Sequence, residues 1–177
     1  MMEITLSIIQ HRITGRRAMK DTRKVTILVL LCLWTLFIWA NSFDSIEASS
    51  VKSDWVADKI GSVLDETLLT NRPNPKIQKY IVRKAAHFFE FFVLAILWML
   101  YMAQGKNRIL RNRQFVCGGI TLFLCLLTAA ADERIQAISP GRTPGWNDVL
   151  IDFGGAAFGV CIFGVAHHIM RLRGKIK

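Results

Sequence analysis

The chain of 177 residues has only four prolines, Pro73, Pro75, Pro140 and Pro144, and they fall in two short clusters. Four long apolar stretches are therefore free of the residue that most reliably breaks a helix. Cysteine is as sparse. Cys32, Cys117, Cys125 and Cys161 lie inside or at the ends of those stretches, with no CxxC pair. That pattern argues against a thiol metal or redox centre and for small apolar packing residues. No HExxH and no GxSxG occurs, so the chain lacks the local signatures of a zinc protease or a serine hydrolase. Internal repeats and low-complexity tracts are missing too. Acidic residues are outnumbered, 13 against 23 Lys and Arg, for a net charge of +10.

What is present is apolar surface. Hydrophobic residues make up 52% of the chain and mean hydropathy is +0.32. High hydropathy and high charge coexist only when the charges are segregated. Runs without Asp, Glu, Lys or Arg cover 25–43, 91–105, 114–131 and 153–170. Each is near the roughly 20 residues that cross a bilayer as a helix. None alternates as a barrel strand would. The expectation is an all-α polytopic membrane protein with four transmembrane helices, about 25–41, 85–102, 115–131 and 149–169. This excludes a disordered basic tail and argues against an ordinary soluble enzyme. It also argues against a nucleic-acid partner, which needs the positive charge on one continuous surface.

The basic residues set an orientation. Residues 1–24 hold six Lys and Arg, 103–114 hold four, and 171–177 hold four; segments 43–84 and 132–148 together hold nine in a longer stretch. The positive-inside rule then puts both termini in the cytoplasm, and all four helices agree with that alternation. The cytoplasmic parts carry +12 and the remainder −2. The organisation expected is a basic cytoplasmic segment 1–24, one membrane domain 25–169 and a basic tail 170–177, in a bacterial plasma membrane. The first helix follows a basic stretch, but its apolar core is long for a signal peptide and no A-x-A site follows closely, so it is expected to be retained.

Between the first two helices, Val56, Ile60, Val63 and Thr67 recur at helical spacing beside Trp55, with Lys52, Asp54, Asp58, Lys59, Asp65 and Glu66 on the polar side. This predicts a short amphipathic helix on the outer membrane surface. Ser42, Ser45, Ser49, Ser50 and Ser53 are expected to form a flexible linker before it, and Asn71–Pro75 a break after it. His167 and His168 are expected at the solvated inner interface.

Ionisable groups at membrane depth are costly and usually face the bundle interior. On the second helix, Arg83, His87 and Glu90 are spaced i, i+4, i+7 and share one face, with Lys84 beside them. The third helix leaves the membrane through Asp132, Glu133 and Gln136, followed by a turn-rich loop carrying Arg142. The fourth re-enters with Asp148, Asp152, Gly155 and Gly159 at i, i+4, i+7, i+11, so a polar stripe runs into a GxxxG stripe that allows close helix approach. Three separate segments thus contribute to one layer near the outer boundary.

These residues, Arg83-Lys84-x-x-His87-Phe88-x-Glu90-Phe91, Asp132-Glu133-x-x-Gln136-x-x-x-Pro140-Gly141-Arg142 and Asp148-x-x-x-Asp152-x-x-Gly155-x-x-x-Gly159, resemble the VanZ-like family. The resemblance covers the last three helices closely and the first loosely. One departure is Asp152, where that family usually has Asn. The resemblance implies a cell-envelope membrane protein associated with teicoplanin resistance, with no defined reaction. Three readings of the layer stay open. Arg83, Lys84 and Arg142 suit a phosphate or carboxylate of an anionic lipid or lipid-linked wall precursor, with the acids orienting the arginines. His87 with Glu90 or Glu133 suits acid–base catalysis of a hydrolytic kind, and Asp132, Glu133, Asp148 and Asp152 suit a divalent metal by donor type but not by any diagnostic spacing; no metal or cofactor is assigned from sequence. Finally, Arg83–Glu90, Arg142–Asp148 and His87–Asp132 pairs would simply fasten the helix ends together.

Overall fold

The computed structural model describes residues 2–43, 75–104, 114–138 and 145–175. They form four helices: α1 (Met2–Ser42), α2 (Pro75–Ala103), α3 (Gln114–Ile138) and α4 (Trp146–Lys175). No strand occurs among the described residues. The expected amphipathic surface helix and Arg142 lie outside them. Each helix holds a span long and apolar enough to cross a membrane: Ala18–Ser42, Tyr80–Ala103, Gln114–Ile138 and Trp146–Gly174. At about 1.5 Å per residue, 24 to 29 residues exceed the roughly 30 Å hydrocarbon core. Leu28, Val29, Leu36, Phe37, Phe123, Leu127, Phe158 and Val165 point outward from the bundle. Such a surface suits lipid, where it costs nothing, and not water.

All four helices run further than the charge-free stretches. The chain stays helical past the last apolar residue because backbone groups near a membrane boundary have no better partner than the next turn. As a consequence Asp132, Glu133 and Gln136 belong to α3 itself; Ser42, inside the first charge-free stretch, is the last residue of α1.

Close packing is concentrated where α4 meets α2, the most extensive helix pairing in the bundle. A Cβ on Gly155 would lie 2.1 Å from the Phe88 carbonyl oxygen, and one on Gly159 would lie 2.7 Å from that of Phe92. The GxxxG stripe thus brings α4 onto the α2 backbone, as its spacing led one to expect. Phe158 closes over the contact, its ring 6.0 Å from Phe88 and 5.7 Å from Phe92. The two helices run parallel, so this contact fixes their register: Lys84 meets Asp148, Phe88 meets Gly155 and Phe92 meets Gly159. On the other side α3 packs on α4, with Gly118 facing Val160.

Around this seam the core is formed by Leu31, Ile38, Phe91, Leu94, Ala95, Cys125, Ala129, Val149 and Ala156. Two threonine hydroxyls in the spans find acceptors within the bundle. The Thr128 hydroxyl donates to the Leu124 carbonyl at 3.0 Å, and Thr121 donates to the Met99 sulfur at 3.4 Å. All four cysteines are free thiols, and Cys117 and Cys125 are buried. His168 is exposed, but His167 is half-buried and stacked on Phe163.

Candidate functional site

The polar residues gather at one end of the bundle, where α1 and α3 finish and α2 and α4 begin. Nearly all are withdrawn from the surface: Asp132 is fully buried, Asp152 is 2% exposed, Gln136 6% and Glu90 9%. Groups of this kind persist at membrane depth only when partnered.

Three sets of contacts arrange them. Lys84 and Asp148 form an ion pair between α2 and α4. The Lys84 ammonium also sits 5.2 Å from the ring centre of Tyr80, one turn earlier on its own helix. Asp148 lies in the first turn of α4, where a carboxylate is favoured by the free N–H groups and the helix dipole. Glu133 accepts the Gly145 N–H immediately before that helix and so ties the end of α3 to the start of α4.

The second set joins α1 to α3. Ser42 donates to one Asp132 oxygen, and Gln136 donates to the other at 2.7 Å. Gln136 and Asp132 are four residues apart and therefore stacked on one face of α3. Gln136 also reaches the Ser42 oxygen at 3.4 Å.

The third set is centred on α2. Asn41 donates to one Glu90 carboxylate oxygen at 2.9 Å, and the Trp34 indole donates to the Glu90 carbonyl at 2.9 Å. The other Glu90 oxygen faces His87 Nδ1 at 3.7 Å, and Asp152 Oδ1 faces the same nitrogen at 3.8 Å. His87 therefore sits between two carboxylates from different helices, with a ligand-capable oxygen of Asp132 in the same group.

The sequence-derived set of Lys84, His87, Glu90, Asp132, Gln136, Asp148 and Asp152 is thus drawn into one layer, with Glu133 at its edge and half-buried Arg83 on α2 beside Lys84. Of the expected pairings, His87 and Asp132 fall in one group, and Arg142, the expected partner of Asp148, lies outside the described residues. Asp148 takes Lys84. Glu90 is held by Asn41, because seven residues along one helix is about 10 Å of rise. Sequence reasoning does not find Trp34, Asn41 or Ser42. The signal that marks two of them is the Asn41-Ser42 pair, which closes an apolar run at the depth of the other polar groups.

A family model described as VanZ/LLP1 matches residues 27–167, which takes in the second and third spans, most of the first and fourth, and the whole polar layer. Among curated proteins and solved structures, none matches the chain.

Proposed function

The chain belongs to the VanZ/LLP1 family, and from that premise we propose that it binds an anionic headgroup at the outer face of a bacterial plasma membrane, with both termini cytoplasmic. The headgroup is that of an anionic lipid or a lipid-linked wall precursor, and binding it contributes to glycopeptide tolerance, teicoplanin in particular. The orientation rests on the density of Lys and Arg at the two termini and in 103–114.

The observation that carries this reading is the placement of charge. Four helices bring their polar side chains to one end, and the basic residues Arg83 and Lys84 stand half-buried at its rim while the carboxylates Asp132 and Asp152 lie buried behind them. Fastening alone needs no such segregation, because hydrogen bonds between neutral groups join membrane helices at lower desolvation cost. Arg83, and Arg142 from the stretch between α3 and α4, offer planar donors that match phosphate or carboxylate.

The test is titration of purified full-length protein with dioctanoyl phosphatidylglycerol and, as a neutral control, dioctanoyl phosphatidylcholine. The expected result is preference for the anionic lipid and a roughly tenfold or greater loss of affinity in Arg142→Lys and Arg83→Ala, one charge-assisted hydrogen bond being worth about that factor. Equal binding of both lipids, or unchanged affinity in both variants, contradicts the reading.

A second reading has its own observation. His87 between Glu90 and Asp152 is an arrangement suited to proton transfer, and it supports a membrane hydrolase acting on an envelope substrate.

A further inference from the structure

We propose that His87, Asp132 and Asp152 form a binding site for one divalent metal ion. One residue comes from each of α2, α3 and α4, and a ligand atom of each lies within 4.8 Å of the others. Metal–ligand bonds to imidazole and carboxylate are about 2.0–2.2 Å, so ligands on opposite sides of an ion stand up to about 4.4 Å apart and adjacent ones closer. Three donors cannot all stand opposite one another, and adjacent donors in a tetrahedral site stand about 3.4 Å apart, so the group closes on an ion by drawing in by at most about 1.4 Å. Glu90 Oε2 lies 3.7 Å from His87 Nδ1, next to the group.

The independent pointer is Asp152. It is 2% exposed, and its Oδ1 faces the group while accepting no hydrogen bond. A buried carboxylate oxygen without a donor is among the most costly groups a fold retains. Lys84, three residues before His87 on α2, is engaged by Asp148. A divalent cation supplies the compensation that the surrounding protein atoms do not.

The other members are oriented as metal ligands commonly are. Ser42 and Gln136 fix the two oxygens of Asp132, and Asn41 holds one oxygen of Glu90 while the other faces His87. Such outer partners set the direction of a ligand. One imidazole nitrogen with two or three carboxylates suits Zn²⁺ or Mn²⁺ better than Ca²⁺ or Mg²⁺, which favour oxygen alone. The three ligands are 45 and 20 residues apart in sequence, which is why no motif spacing betrays them.

The site stands or falls independently of the headgroup reading, because its test needs no lipid ligand. Full-length protein in detergent is stripped with a chelator, dialysed, and titrated with ZnCl₂ and with MnCl₂, with metal content and melting temperature as readouts. The expected result is saturable uptake of one ion per chain and a melting temperature that rises with metal concentration. Asp152→Asn should weaken uptake by more than about 100-fold, the loss that even an outer partner of a ligand can cause. It should remain folded, because it keeps the side-chain volume and removes a buried charge. Asp21→Asn, at the opposite end of the bundle, should bind as wild type. Should Asp152→Asn not fold, His87→Gln carries the same expectation. No saturable uptake by the wild type of either metal, or equal uptake by the folded ligand variant, overturns the proposal.

Discussion

Gly155→Leu is expected to leave no folded protein in the membrane, and Gly155→Ala to destabilise it by about 3 kcal/mol or more. The reason is the partner. The first side-chain carbon at this position would meet the Phe88 carbonyl oxygen at 2.1 Å and its carbon at 2.9 Å. Those are backbone atoms in a helix that cannot swing aside, so α2 and α4 would have to separate. Helix propensity opposes this, since Ala is favoured over Gly by about 1 kcal/mol in a helix interior. At Gly155 the clash wins. At Gly164 an added methyl group would meet nothing within 4 Å, so propensity decides, and Gly164→Ala should be neutral or stabilising by up to about 1 kcal/mol. Gly159→Ala, 2.7 Å from the Phe92 oxygen, should fall between. Thermal melts of the purified variants in detergent, with the fraction folded judged by size-exclusion chromatography, rank the three. The order matters for function because this contact fixes the register that brings His87 beside Asp152.

Asp132→Ala should cost about 2–4 kcal/mol when measured with a chelator present, so that bound metal contributes nothing. The substitution removes the acceptor shared by Ser42 and Gln136, both buried. Interhelical hydrogen bonds in membrane proteins average about 0.6 kcal/mol and reach about 1.7. Stranding two buried donors adds a penalty of about 1–3 kcal/mol for each that finds no new partner. Asp132→Asn keeps an acceptor for Ser42, and the Gln136 amide can turn its oxygen toward the new amide group, so it should cost less than about half as much. Equal losses in the two variants would show that the charge of Asp132, and not its acceptor geometry, holds α1 against α3.

Much of the architecture was legible because it is imposed by the solvent. A charge-free run of 15 to 19 residues has few alternatives to a membrane helix, and GxxxG has a direct geometric meaning, so four spans and a close helix contact on α4 followed from the residues, while its partner α2 did not. The polar layer was legible because its residues were the ones that lipid would reject. Which side chain meets which was not legible. Partner choice depends on the relative register of two helices, and that is set by Gly155 against Phe88, a contact between a missing side chain and a backbone. The shift gives Asp148 to Lys84 and brings Asp152 to His87. Ser42 was misplaced for a related reason. Ser45, Ser49, Ser50 and Ser53 follow it and suggest a linker, while its buried partner is Asp132, 90 residues away.

The central claim is that this layer acts on an envelope component and does more than fasten helices. It is tested most directly by teicoplanin susceptibility of a deletion strain complemented with wild type or with Arg142→Ala, with the membrane level of each protein quantified. The account predicts that deletion raises susceptibility, that wild type restores tolerance, and that Arg142→Ala does not restore it although its membrane level is equal. Unchanged susceptibility on deletion, or full restoration by Arg142→Ala, would contradict it.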